Sequence, residues 1–443
     1  MLKHSQSGKL FFAVLLVLNL IFGVPFPHKT MLMSSNAAAV MAQAEEKGLS
    51  LFNLNQSASD DDYDDDEKTE NYGNISNPSS DPASFNASFP QSSYSPDFSI
   101  PDNASRYYNN SNSKPFSVED YDRLKNCNAD TSKRPSSLEY LTYFNCGHVR
   151  VDTLPSGKQQ ATREFTLMAR ENQSIPIAYN GLKFDNAWTF NGTIPGPTMR
   201  VTEGDLIKIT VVNSIGNKHS HSIHMHSIHE GDMDGIDGKG GAIPPGQNFT
   251  YEFVAQPYGV YPYHCHVTPI DQHINNGLYG VFIIDPPTPR PLMREMVMLM
   301  NGYDLDYEKE GVGPSRIPTP EEVEEDFMPQ PFEHVNEVYT ANGKAFDYMN
   351  HPIQVEKGAP YRIYLVNMLE FDPVNNFHLH GNMFKYDPSG TSETPSFVND
   401  MVALTQGDRG IVEFKYDLPG KYMFHSHINE FSDLGWMGFF EVK

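Results

Sequence analysis

The sequence predicts an all-β protein in which two tandem β-sandwiches follow a disordered N-terminal region. From Thr162 onward, short stretches that alternate apolar and polar residues are separated by Gly and Pro turns, a pattern typical of sandwich strands. No stretch in this part of the sequence has the spacing of a convincing amphipathic helix. The same part contains an internal repeat, so the fold class rests on strand patterning and duplication together.

Residues 1–44 are predicted to be a signal peptide or an N-terminal anchor. Lys3 and Lys9 precede an apolar run that ends near Phe26, and the small-residue pattern Ala42-Gln43-Ala44 follows. The run resembles a secretory signal, but its distance from that pattern is long, so an uncleaved anchor is the alternative. No later segment is long and apolar enough to span a bilayer. Any contact with a membrane is therefore expected through this segment.

Residues 45–150 are predicted to be an acidic spacer of low complexity, rich in Ser, Asn and Pro, because the segment has too few apolar residues to fold alone. Cys127 and Cys146 are a candidate disulfide pair, which would suit an oxidising compartment. The whole chain has 56 Asp and Glu against 32 Lys and Arg, and its charge of −24 argues against a nucleic-acid partner. We expect an exported protein, extracellular or periplasmic, or anchored to the outer face of the cell membrane.

The folded part of the chain repeats itself. Residues 199–213 align with 353–367, and residues 251–266 align with 412–427. Two copies of one sandwich explain these matches better than convergence does. We assign the copies to residues 151–287 and 288–443.

The repeat carries four His-X-His motifs, two in each copy. They are His224/His226 and His264/His266 in the first copy, and His378/His380 and His425/His427 in the second. Alternate residues of a strand share a face, so the two histidines of each motif are predicted to project together. Cys265 would point to the opposite face, where His221 and His273 are candidates to join it. A thiolate with two imidazoles is the ligand set of a blue-copper site.

The second copy has lost the thiolate site. Ser426 stands where the first copy has Cys265, Asn375 stands where it has His221, and no histidine follows His427 to match His273. The chain therefore offers one mononuclear thiolate site and eight further imidazoles.

These motifs resemble those of the multicopper oxidases, in particular the two-domain, laccase-like members built from two Greek-key cupredoxin domains and related to copper nitrite reductases. The resemblance covers about residues 162–443. It implies a type 1 copper bound by His221, Cys265 and His273, which are also the candidate catalytic residues. It further implies a type 2 copper and a binuclear type 3 centre, about four coppers per chain in all. The type 2 ligands would be His224 and His378, and the type 3 ligands His226, His264, His266, His380, His425 and His427.

Leu278 falls at the axial position of the type 1 site, where related proteins often have Met. Leu has no donor atom, so the resemblance implies a three-coordinate site with a raised reduction potential. Electrons would enter through an exposed edge of His221 or His273. They would then follow the chain from Cys265 to its neighbouring histidines.

The resemblance implies one-electron oxidation of a phenol, an aromatic amine or a low-valent metal ion, coupled to four-electron reduction of O2 to water. A homotrimer with trinuclear clusters at its subunit interfaces is expected, and closure of the cluster within one chain is the alternative. The candidate proton donors are Asp232, Asp234, Asp237 and Glu430. His219 and His229 are expected to lie beside the copper ligands or at the surface without binding metal. An extra copper site is the alternative.

A copper-containing nitrite reductase is the first alternative function, because it has the same two-domain architecture. In reductases an Asp stands between the two histidines of the first motif, whereas this chain has His224 there. Eight cluster-type histidines also exceed what one further copper needs. A non-catalytic, secreted copper-binding or electron-transfer cupredoxin is the second alternative, and it would leave those eight histidines unused.

Overall fold

The computed structural model describes Lys125, Cys127 and residues 134–157, 159–305, 307, 334–392 and 395–443. The predicted signal peptide or anchor and most of the predicted spacer lie outside these residues. Within the described ranges, no helix combines the length and the apolar character needed to cross a membrane.

The first sandwich contains ten strands, three short α-helices and one 3-10 helix (Gly231–Met233) of the described chain. The strands are β1 (Phe144–Asn145), β2 (His148–Thr153), β3 (Gln159–Pro176), β4 (Lys183–Phe190), β5 (Thr198–Thr202), β6 (Leu206–Asn213), β7 (His224–Met225), β8 (Asn248–Val254), β9 (Gly259–His264) and β10 (Tyr279–Asp285). The helices are α1 (Ser137–Tyr140), α2 (Gly238–Gly241) and α3 (Ile270–Asn275). One sheet has the order β1-β5-β10-β9-β7, and the other has the order β2-β3-β6-β8 with β4 paired to β3.

The second sandwich repeats this plan. Its strands are β11 (Arg294–Tyr303), β12 (Val338–Ala341), β13 (Ile353–Val355), β14 (Pro360–Asn367), β15 (Val374–Leu379), β16 (Phe384–Pro388), β17 (Phe397–Asn399), β18 (Met401–Thr405), β19 (Arg409–Lys415), β20 (Gly420–His425) and β21 (Met437–Val442). Its helices are α4 (Asp347–Asn350) and α5 (Asn429–Asp433). The sheets have the orders β12-β11-β14-β19-β16-β17 and β13-β21-β20-β15-β18. The run β13-β21-β20-β15 matches β5-β10-β9-β7, and the predicted all-β fold class is confirmed.

Three apolar clusters hold the sandwiches together. One lies between the sheets of the first sandwich and includes Trp188, Cys265 and Leu278. A second fills the second sandwich and includes Trp436. The third is shared, because Val260 and Ile283 of the first sandwich pack with Val297, Leu299 and Tyr364 of the second. Successive residues of β11 therefore pack in different clusters. Met298 points into the second sandwich, whereas its neighbours Val297 and Leu299 pack in the shared cluster at the junction.

A buried ion network also crosses the junction between the sandwiches. The Arg200 guanidinium donates to Asp285 at 2.8 Å and to Glu295 at 2.6 Å. Arg362 donates to the same Glu295 at 3.0 Å and to Glu413 at 2.7 Å. Burial alone would raise the pKa of Glu295, but the two guanidinium groups outweigh burial and hold that pKa below its ordinary value. The network therefore stays charged, and each charge depends on its partners.

The end of the predicted spacer belongs to the first sandwich. The predicted spacer extends to residue 150, whereas the structure places α1, β1 and part of β2 before that residue. Tyr140 and Phe144 are buried, and the Tyr140 hydroxyl donates to the Gly196 carbonyl at 2.6 Å. These aromatic side chains pack against the apolar cluster that the two sandwiches share, which supplies the partner surface that the segment lacks on its own. The Cys127–Cys146 disulfide, with Cα atoms 5.4 Å apart, fastens the preceding chain to it.

Replacing Arg200 by Met is expected to lower the free energy of unfolding by about 3–5 kcal/mol, because Asp285 and Glu295 would lose a buried partner. Urea denaturation of the two proteins measures this difference. Arg294→Met is the matched control, since Arg294 pairs with Glu356 on the surface, where each side chain is more than half exposed. That change is expected to cost less than about 1 kcal/mol. Equal losses in the two variants would contradict a special role for the buried network.

Candidate metal centres

The thiolate and two imidazoles predicted to form a mononuclear site lie together inside the first sandwich. Cys265 comes directly after β9, His273 lies on α3, and His221 precedes β7. The Cys265 sulfur is 3.0 Å from Nδ1 of His273 and 3.9 Å from Nδ1 of His221. All three residues are buried, and one donor atom from each lies within 4.8 Å of the others. The Ser222 backbone N–H also donates a hydrogen bond to the Cys265 sulfur, at 3.3 Å.

The chemistry of this group suits copper. Burial by itself would raise the pKa of the Cys265 thiol, but the neighbouring His273 and His221 outweigh it and hold the pKa well below its ordinary value. The sulfur is therefore poised as a thiolate, and a thiolate with two imidazoles is a soft donor set that suits copper. Leu278 is fully buried and its carbonyl accepts from the Cys265 N–H at 2.9 Å. Its apolar side chain adds no donor atom to the group.

The first quartet, which we define as His224, His226, His264 and His266, lies on the other side of the same strand end. Strand pairing sets His224 opposite His264. Ring centroids of His224 lie 5.0 Å from His226, 5.3 Å from His264 and 5.2 Å from His266. Nε2 of His226 is 3.1 Å from Nε2 of His264. Four imidazoles thus converge around one space.

Burial lowers the pKa of three imidazoles of the first quartet, those of His224, His226 and His264. Burial, followed by the neighbouring rings of His264 and His224, lowers the pKa of His226 to about 3. Burial also lowers the pKa of His264 to about 4, with smaller contributions from His224 and His266. A neutral imidazole keeps a free lone pair, which metal binding requires.

The second quartet, His378, His380, His425 and His427, has the same geometry in the second sandwich. Its ring centroids lie 5.0 Å (His378–His380), 5.3 Å (His378–His425) and 5.2 Å (His378–His427) apart. Nε2 of His380 lies 3.0 Å from Nε2 of His425. His380 is exposed and lines an open surface cavity of about 510 Å³ with His378 and Met383.

Backbone carbonyls orient four of these eight rings. Nδ1 of His264 lies 2.9 Å from the Cys265 carbonyl, and Nδ1 of His425 lies 2.5 Å from that of Ser426. In the same way, Nδ1 of His224 lies 3.0 Å from the Asp234 carbonyl. Nδ1 of His378 lies 2.9 Å from the Asp400 carbonyl. A ring whose Nδ1–H donates to a carbonyl offers its Nε2 lone pair to a metal. The two sandwiches therefore present the same nitrogen atoms.

The predicted proton donors separate into two groups. Asp234 adds a carboxylate oxygen 3.0 Å from Nδ1 of His224, and that oxygen is also 3.6 Å from Nε2 of His229. Asp232, Asp237 and Glu430 are exposed. Of the four candidates, Asp234 alone contacts a histidine of a quartet in the hydrogen bonds and ion pairs of the described residues.

The two quartets do not meet within the chain. Each close group of potential ligand atoms among the described residues draws its quartet histidines from one sandwich. The groups are His224, His226 and His264; His224, His229 and Asp234; and His378, His380 and His425. A cluster that needs both quartets is therefore not assembled by the described part of one chain.

The expected entry of electrons through an exposed ligand edge is wrong. His221 and His273 are 0% and 1% exposed, because Trp188 packs edge-on to both rings, at 5.3 Å from His221 and 4.7 Å from His273. Glu171, also buried, accepts from Nε2 of His221 at 3.0 Å. Glu171, Trp188 and Asp400 were not predictable from the sequence, because each lies far along the chain from the histidine that it contacts in the fold.

The fold and these groups define a copper protein built from two cupredoxin-like sandwiches. The chain belongs to the multicopper oxidase family: two family models, both described as multicopper oxidase, match residues 171–289 and 314–443. Membership of this family implies that the protein uses type 1, type 2 and type 3 copper as cofactors.

Known proteins support this assignment. A solved structure described as a multicopper oxidase is 43% identical, with a TM-score of 0.60, and the match covers 70% of this chain and 97% of that one. The copper-containing nitrite reductase of Neisseria gonorrhoeae is 28% identical over 54% of this chain and 58% of its own length. Laccase-20 of Oryza sativa subsp. japonica is 29% identical over 52% of this chain and 39% of its own length. The chain thus spans less than two thirds of the length of these curated relatives.

Replacing Glu171 by Gln is expected to raise the reduction potential of the copper-loaded type 1 site. Glu171 is a buried negative charge bonded to His221, and removing it disfavours the oxidised, more positive metal. The equilibrium constant for reduction should rise roughly tenfold. A redox titration followed by the blue absorption band measures this. Glu164→Gln, at an exposed position of the same strand β3, is the control and should leave the potential unchanged. An unshifted potential in Glu171→Gln with an intact blue band would contradict this role.

Proposed function

We propose that this protein is a laccase-like oxidase that couples one-electron oxidation of a reducing substrate to the four-electron reduction of O2 to water. The observation that carries the proposal is the pair of geometrically matched histidine quartets beside a single thiolate group. When bound, copper supplies one-electron acceptance at the thiolate group and O2 reduction at the quartets.

The roles proposed for the residues follow the three groups. His221, Cys265 and His273 would hold type 1 copper, and the quartets would hold the type 2 and type 3 coppers with the assignments given above. Cys265 lies between His264 and His266 in the chain. An electron that reaches the thiolate therefore has a short covalent route to the first quartet. The carbonyl bonds to Nδ1 keep the rings fixed, so little reorganisation is needed on binding metal.

Nitrite reduction is the second candidate function, and its support is the similarity to the copper-containing nitrite reductase of Neisseria gonorrhoeae. The geometry weighs against it. His224 sits within the first quartet as one of four converging rings. A single type 2 copper would not use eight such rings. A protein that only carries electrons would use none of them.

Replacing Cys265 by Ser is expected to abolish the intense blue band and to slow O2 uptake with hydroquinone by more than about 100-fold, because the thiolate ligand and the electron route are both lost. Absorption spectroscopy and an oxygen electrode measure these effects. Copper analysis should give about four ions per chain in the unaltered protein. About two ions, with nitrite consumption from a reduced dye, would favour the reductase, and about one would favour the carrier.

We also infer a homotrimer in which the first quartet of one subunit meets the second quartet of the next. Two observations support this arrangement: the quartets form separate groups within the chain, and the second quartet lines an open surface cavity. Closed rotational symmetry would then complete every cluster with the same interface.

Co-expression of two inactive variants tests this assembly. His226→Ala should inactivate the first quartet and His380→Ala the second, so each homo-oligomer should lack O2 uptake. Random co-assembly should restore roughly a quarter of the unaltered activity, because an interface is complete only when an intact first quartet meets an intact second quartet and each is present half of the time. No recovery in verified mixed trimers would show that each cluster closes within one chain.

The proposed location is outside the cytosol, either free or held at the outer face of the membrane. The Cys127–Cys146 disulfide supports it, because such bonds persist in oxidising compartments.

A further inference from the structure

The type 1 ligands have no surface of their own, so an electron donor must approach them through other side chains. His221, Cys265 and His273 are buried, and Trp188, which covers both imidazoles, is itself only 2% exposed. His219 packs on Trp188, with ring centroids 4.8 Å apart and planes inclined by 31°. Its side chain is 45% exposed. His219 is therefore the outermost ring of a stack that reaches the ligands.

We propose that His219 is the contact residue for the electron donor, and that the donor is a small aromatic reductant that transfers its electron without binding to a metal. The inference rests on the proposed oxidase function and adds the place where the substrate touches the protein.

Two short routes lead inward from His219. The first passes across Trp188, whose ring is 4.7 Å from that of His273. The second passes through Glu171, because one carboxylate oxygen lies 3.1 Å from Nδ1 of His219 and the other lies 3.0 Å from Nε2 of His221. Both routes consist of packed rings or hydrogen bonds.

Glu171 also holds His219 in place. The carboxylate accepts the N–H of His219 at 2.9 Å and the N–H of Lys218 at 3.0 Å. Its two oxygens thus fix both the backbone and the ring of this loop. Nδ1 of His219 is thus held by Glu171 while 45% of the side chain stays exposed, which suits a donor that approaches from solution.

The surroundings of His219 favour an aromatic donor over a metal ion. None of the groups of three or more His, Cys, Asp or Glu side chains able to hold a metal ion in the described residues includes His219. The one carboxylate beside it, Glu171, is buried and its oxygens are already bonded to His219, Lys218 and His221, so it offers no open ligand position to a metal-ion substrate. A flat aromatic molecule can stack on an imidazole with a single contact.

The electron balance is simple. The donor would lose one electron, become a radical and release its proton to water, and a copper ion held by His221, Cys265 and His273 would supply the one-electron acceptor. Four such events supply the electrons that convert one O2 and four protons to two waters.

The position of the contact is tested by reversing a charge beside it. Lys218 is exposed and adjacent to His219, and Lys218→Glu leaves its backbone bond to Glu171 available. Stopped-flow bleaching of the blue band, without O2 and at low salt, is measured with hexacyanoferrate(II) and with hexaammineruthenium(II). Lys218→Glu should slow the anionic reductant about fivefold and speed the cationic one, and salt should remove both effects. Lys357→Glu, at an exposed turn of the second sandwich, is the control.

The contact residue itself is tested with His219→Leu, which keeps Trp188 covered but removes the imidazole. Reduction by hydroquinone should slow about tenfold, with an unchanged reduction potential, blue band and rate of reoxidation by O2. His148→Leu, at an exposed position on β2, should behave like the unaltered protein.

A normal hydroquinone rate in His219→Leu, or slowing with iron(II) alone, would overturn the inference. If the unaltered protein had no blue band or no O2 uptake, the proposed function would fail instead.

Discussion

The alternation of side chains along an extended chain is the constraint on which the metal groups depend. At the end of β9 it turns Cys265 into the core of the first sandwich and leaves His264 and His266 on the opposite side. One peptide segment therefore belongs to two groups of ligands. A shift of one residue in the register of β9 would exchange the thiol with the imidazoles and destroy both groups. The pairing of β9 with β10 and β7 is what prevents that shift.

The same register explains why the repeat could diverge without losing its histidines. In the second copy, β20 and β15 set His425 opposite His378, as β9 and β7 set His264 opposite His224. Strand pairing therefore keeps the histidines of both copies together on the face opposite the core. The inward face was free to change, and Ser426 now stands where the first copy has Cys265.

Much of the architecture was predictable from the sequence, because strand patterning and an internal repeat are local signals. The fold class and the grouping of histidines at motif spacing follow from them. Three features did not follow. Glu171 reaches His221 across a separation of 50 residues, and Trp188 covers that ligand only after folding. Third, Tyr140 and Phe144 in the segment from 134 to 150 become buried only because the sandwiches supply the apolar surface against which they pack.

Trp436 stands in the second copy where the first has Leu278, and it is fully buried among Phe377 and Phe424. Its indole N–H donates to the Asn376 carbonyl at 3.1 Å, and the Asn376 side chain accepts the N–H of His427 at 2.5 Å. Bulk and hydrogen bonds thus occupy the interior that a thiolate site takes up in the first copy. The interior of the second sandwich is therefore closed by its own side chains, so its candidate metal ligands lie at the quartet alone, whereas the first sandwich has candidate ligands both inside it and at its quartet.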